Sequence, residues 1–158
     1  MQLITCKNLI AGALFSFGVT LAQASPMPAM FTSASKVAQN RICGELLIGL
    51  AISGVRGLTG AQTADQDARR KMSLTMAAEA GLFFARSPNM DAKEKAESSV
   101  TTRKIEALAP ADHFAVVTHC TKTVDEEFKK GAITPVEAAQ AMEAINMLLT
   151  HEQQRKPR

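Results

Sequence analysis

The sequence predicts an all-α, single-domain bundle of about five helices closed by one disulfide. Apolar residues recur at three- and four-residue spacing through most of the chain. Helix start and stop signals divide it into segments of ordinary helical length, and no stretch makes a convincing strand. The bundle domain is expected over residues 34–152, followed by a basic disordered tail over 153–158.

The first helix is expected from about Ser35 to Val55. Val37, Ile42, Cys43, Leu46, Leu47, Leu50 and Ile52 give it an apolar face too broad for a surface helix, which makes it central. Three glycines between Gly54 and Gly60 end it, because repeated glycine is costly inside a helix. The second helix runs from Thr63 or Ala64 to about Arg86, with Ala68, Met72, Met76, Ala80 and Phe83 on one stripe. Ser87-Pro88 stops it, since a residue before proline is pushed out of helical geometry.

Asp91-Ala92-Lys93-Glu94 has the form of a capping box and opens a third, more polar helix. Its main apolar residues are Val100, Ile105 and Leu108, and the run Ser98 to Thr102 is a candidate bend. Pro110 and Asp112 open the fourth helix, whose stripe is Phe114, Val117, Cys120 or Thr121, Val124 and Phe128. Lys129-Lys130-Gly131 places positive charge and then glycine at its end. In the fifth, Thr134 caps, Pro135 takes the first position and Glu137 completes the box. Ala138, Ala141, Met142, Ile145, Leu148 and Leu149 then form one stripe.

Residues 1–24 read as a secretory signal peptide. Lys7 is a short basic region, Leu9 to Leu21 are mostly apolar, and Ala22-Gln23-Ala24 is a small-x-small cleavage pattern. The apolar run would span about 20 Å as helix, short of the ~30 Å hydrocarbon core of a bilayer, so no stable membrane anchor is expected after cleavage. Cleavage between Ala24 and Ser25 places the product in the periplasm or outside the cell and removes Cys6. Cys43 and Cys120 then remain, and an even count in an exported chain predicts that they pair. Residues 25–33, with Pro26 and Pro28, read as a flexible, extended leader.

The cleaved chain carries 17 Lys+Arg against 15 Asp+Glu, a net charge of +2, which predicts no nucleic-acid partner. It has no Trp or Tyr, which disfavours a carbohydrate site. His113 and His119 point to opposite sides of the fourth helix, and His151 has no partner at ligand spacing, so no metal site is predicted. Met72 and Met76 share a helix face, a pattern that suits Cu(I), but filling a helical core is the commoner use of methionine. Asp125-Glu126-Glu127 is the one dense acidic cluster and reads as a solvated face. No Gly-x-Ser-x-Gly elbow, Ser-x-x-Lys, His-Glu-x-x-His or phosphate loop is present, so neither a catalytic residue nor a cofactor is predicted.

The segments Arg41-Ile42-Cys43-Gly44-Glu45-Leu46-Leu47-Ile48-Gly49 and Thr118-His119-Cys120, in a layout spanning residues 40–125, carry a resemblance. The chain resembles the Tai-type periplasmic immunity proteins of type VI secretion systems. That resemblance implies a protein that occludes a toxin's catalytic cleft, often from a homodimer, and it transfers no inhibitory residue. Phe83-Phe84-Ala85-Arg86-Ser87-Pro88 also looks like a stretch found in small uncharacterised secreted proteobacterial proteins. The expected function is thus that of an exported helical binding protein without catalytic activity, its partner an unidentified protein. A periplasmic stress chaperone is the alternative, and Cu(I) handling a third reading.

Overall fold

The computed structural model describes residues 26–56, 58 and 63–154. Among them lie six helices and no strand: α1 (Ala29–Thr32), α2 (Lys36–Val55), α3 (Ala64–Ala85), α4 (Ala92–Glu106), α5 (Pro110–Lys129) and α6 (Pro135–Gln154). The expected signal peptide and the glycine-rich turn after Arg56 fall outside the described residues, Leu58 excepted. None of the described helices is long and apolar enough to cross a membrane.

The five helices expected from the sequence are α2 to α6, and their ends follow local chemistry. Ser35 caps α2 by accepting from the Ala38 N–H at 3.2 Å, and Thr63 caps α3 through the Gln66 N–H at 3.3 Å. Asp91 and Glu94 form the reciprocal capping box of α4. Thr134 and Glu137 do the same for α6, with the Thr134 N–H donating to Glu137 Oε2 at 2.7 Å. At the end of α5, Gly131 takes the left-handed conformation at φ 66°. This lets the Ala132 and Gly131 N–H groups reach the Glu127 and Phe128 carbonyls, both at 3.0 Å, and satisfies two orphan acceptors of the last turn.

Four expectations are corrected. The leader is not simply extended: α1 forms one turn after Pro28, and Phe31 is buried in the core with its ring edge-on to His119. A side chain that large gains roughly 1.5–3 kcal/mol on burial, enough to draw a short segment onto the bundle. α4 runs unbroken through Ser98–Thr102, where Ser99 and Thr102 donate to Glu45 of α2 and Thr101 donates to the Glu97 carbonyl of its own helix. Its buried face is Ser98, Thr102 and Ile105, while Val100 is exposed. The α5 stripe is shifted at its edge: Val117, Cys120 and Val124 are buried as expected and Val116 with them, whereas Phe114 and Phe128 are exposed. Finally, α6 continues to Gln154, two residues into the expected tail.

α2 is central, touching α3, α4, α5 and α6, and its packing against α3 is the most extensive in the fold. Ile42, Leu46 and Leu47 of α2 meet Ala80, Leu82 and Phe83 of α3, Ile105 of α4 and Val116 and Val124 of α5 in one core. Ala51, Val55, Ala77 and Leu148 form a second, smaller cluster where α2, α3 and α6 meet. α3 and α6 approach backbone to backbone at Gly81, where an added Cβ would lie 2.4 Å from the Gln140 carbonyl oxygen. α4 joins α2 through a polar contact. Glu45 of α2 accepts from Ser99 Oγ, Thr102 Oγ1 and Arg41 Nε, each at 2.8 Å. The expected disulfide is present, joining Cys43 of α2 to Cys120 of α5 with a Cα–Cα separation of 5.6 Å.

Candidate functional site

Among the described residues, five of the nine exposed large apolar side chains lie on α5 and α6. Phe114 is 67% exposed and Phe128 37% exposed on α5, and Val136, Met142 and Met147 are exposed on α6. Fourteen residues separate the two phenylalanines, which brings them close to one line along α5 at 3.6 residues per turn. Eleven residues separate Val136 from Met147, which likewise puts them on one line along α6. Local sequence explains the shift on α5. Val117, Cys120 and Val124 lie on the expected stripe, Val116 extends it on the side away from Phe114, and the bond to buried Cys43 turns Cys120 inward. Phe114 then points away from the core.

Both helices are anchored at the same place. Arg86, at the end of α3, donates from Nη1 to Glu127 Oε2 of α5 and from Nε to Glu137 Oε1 of α6, the latter at 2.5 Å. Its guanidinium also lies 5.9 Å from the centre of the Phe83 ring. One cation thereby ties three helices through two charge-assisted contacts. Burial works against the charge on Arg86, but Glu137 and Glu127 more than offset it and hold the guanidinium firmly protonated. Burial likewise disfavours the charged form of Glu137, yet the Thr134 N–H and Arg86 bring its carboxyl below the usual range.

Seven residues before Arg86, and near the same line along α3, stands Glu79. It is 8% exposed, and its Oε2 has no hydrogen-bond partner. Burial, with the neighbouring charge of Asp125 adding to it, pushes its carboxyl up to about 8. The acidic run of α5 is therefore not merely a solvated face: Glu127 binds Arg86 and Asp125 acts on Glu79, while Glu126 is exposed.

The three histidines occupy separate environments. His119 is exposed beside Phe31, and burial together with the charges of Lys36 and Lys122 lowers its pKa against the opposing pull of Glu126. His113 and His151 are half-buried, each with one ring nitrogen lacking a hydrogen-bond partner. Among the described residues, no group of three or more His, Cys, Asp and Glu side chains is placed to hold a metal ion. Met72 is exposed, whereas Met76 packs against both core clusters, so the two thioethers do not share an environment.

Sequence reading missed Glu45, Glu79 and Arg86. The first two carried a usable signal: each is a lone carboxylate inside an otherwise apolar or small-residue stretch, Ile-Cys-Gly-Glu-Leu-Leu and Ala-Ala-Glu-Ala-Gly-Leu. Such a residue has to find a partner or change its protonation. Arg86 looks like any helix-ending base. Comparison of the chain with protein-family models, curated proteins and solved structures finds no match.

Proposed function

We propose that this chain is an exported, non-catalytic binding protein that covers a site on a partner protein with the outer faces of α5 and α6, as an immunity or inhibitor protein does. The observation that carries the reading is Phe114, two-thirds exposed on a helix whose own core stripe is complete without it. Aromatic and methionine side chains are enriched in protein interfaces, and a few well-placed ones dominate their energetics. The surface is preorganised, since the Cys43–Cys120 bond and the Arg86 clasp hold both helices before any partner arrives. A disulfide between buried cysteines also fits an oxidising compartment, in line with the expected signal peptide.

The test is affinity capture from periplasm with the unaltered protein and with a Phe114→Asp/Val136→Asp variant. One stoichiometric partner, lost at least about tenfold in the variant and inhibited when bound, is the expected result. A partnerless monomer at micromolar concentration overturns the reading. A second reading, a stress chaperone, is favoured by the exposure of Met72, Met142 and Met147, because flexible thioether side chains adapt to varied apolar surfaces. It predicts concentration-dependent suppression of the aggregation of unrelated proteins, undiminished by Phe114→Asp.

A further inference from the structure

Positive charge collects at one end of the bundle. α3 and α6 pack antiparallel, with Arg86 bonded to Glu137 and Gly81 against Gln140. Carried along both helices, that register sets residues 68–72 of α3 level with residues 150–154 of α6. α2 also runs antiparallel to α3, with Gly44 against Phe84 and Gly54 against Ser73, which sets Arg56 level with Lys71. Arg56, Arg69 and Lys71 are all exposed there. Arg155, Lys156 and Arg158 follow directly on Gln154, the last residue of α6. We propose that this end of the bundle docks on the surface of a bilayer rich in anionic phospholipid.

The charge of the chain is unevenly divided. Residues 56–71 and 150–158 hold seven Lys and Arg against three Asp and Glu, a local charge of +4. The remainder of the chain from Ser25 holds ten against twelve, a charge of −2. A total near neutrality therefore conceals a division that turns the basic end toward a negative plane. Basic clusters of this size are the kind that anionic leaflets attract. The acids Asp65 and Asp67 lie in the first turn of α3, where they complement its positive N-terminus. Met72, 49% exposed, is three residues from Arg69 and so its neighbour on the surface of α3. An uncovered thioether beside a guanidinium suits the boundary of headgroups and acyl chains, where apolar atoms sink and charge stays in water. A single-stranded nucleic acid is the other polyanion, but such strands are held by aromatic stacking as well as charge. Neither residues 56–72 nor 150–158 contain Phe, Tyr or Trp.

The bases concerned lie outside the apolar α5–α6 surface, so the test is independent of the proposed protein partner. The chain from Ser25 is sedimented with vesicles of phosphatidylglycerol and phosphatidylcholine in equal parts, and with vesicles of phosphatidylcholine alone. At about 0.05 M salt, binding to the anionic vesicles should be at least about tenfold tighter. At about 0.5 M salt the difference should vanish, because the screening length falls from about 14 Å to about 4 Å. Arg69→Gln/Lys71→Gln removes two exposed bases and should weaken binding to the anionic vesicles about tenfold. Its helical signal and thermal midpoint should match those of the unaltered protein. The proposal is overturned if the two kinds of vesicle bind alike at low salt, or if the folded double variant binds as tightly as the unaltered protein. Displacement from the vesicles by a single-stranded oligonucleotide at equal phosphate concentration would also overturn it, and would assign this end to a nucleic acid.

Discussion

Replacing Glu79 with glutamine should stabilise the protein at neutral and mildly alkaline pH and leave it nearly unchanged near pH 5. The buried carboxyl is held at about 8, against 4.5 when free. Its folded-state pKa is raised, so its contribution is fully present below 4.5 and is lost as pH rises toward 8. Each pH unit in that window is worth about 1.4 kcal/mol, so wild-type stability should fall by between about 3 and 4 kcal/mol from pH 5 to pH 8 through this group. Glutamine is uncharged throughout and similar in volume, and it has no such slope. The assay is urea unfolding at intervals across that range with the disulfide intact, plotted as the difference between variant and wild type. Subtraction cancels groups common to both proteins. Among these is His119, whose lowered pKa gives a slope of the opposite sign. A difference that stays flat from pH 5 to pH 8 would refute the reasoning, because it would mean that Glu79 ionises freely in the folded state.

Two further perturbations test the frame. Loss of the disulfide in a Cys43→Ala/Cys120→Ala variant should cost about 4–5 kcal/mol, from the loop entropy of a 77-residue separation, and thermal unfolding with and without reductant reads it. Arg86→Ala should cost about 2–3 kcal/mol by urea unfolding, since it leaves Glu127 and Glu137 facing one another without their shared cation. Arg86→Lys should recover only part of that loss, because an ammonium cannot reproduce the two-pronged contact. In the Arg86→Ala variant the carboxyl of Glu137 loses one of the contacts that lower its pKa. The stability that Glu137 supplies above its free pKa, lost on acidification, should shrink accordingly.

What could be read from the sequence was whatever depends on neighbours a few residues apart. The Asp91–Glu94 and Thr134–Glu137 boxes, the Ser87-Pro88 stop and Gly131 are local instructions, and the helix ends they predict are the ones observed. The Cys43–Cys120 pairing was accessible for a different reason: two cysteines leave one choice. The edge of a helix stripe was another matter. On α5 the expected stripe holds at Val117, Cys120 and Val124, but its outer members Phe114 and Phe128 are exposed and Val116 is buried.

The all-α class, the helix boundaries and the disulfide partners are thus properties of the chain itself, because propensity, capping and cysteine count act over short range or by exclusion. Tertiary structure alone decided which side chains became functional. It buried Val116 and left Phe114 exposed on α5, it drew Phe31 inward from a segment with no helical period, and it set Arg86 between carboxylates 41 and 51 residues away. It also buried Glu79 beside Asp125. Each of these outcomes depends on where helices distant in sequence meet, and no local pattern encodes that distance.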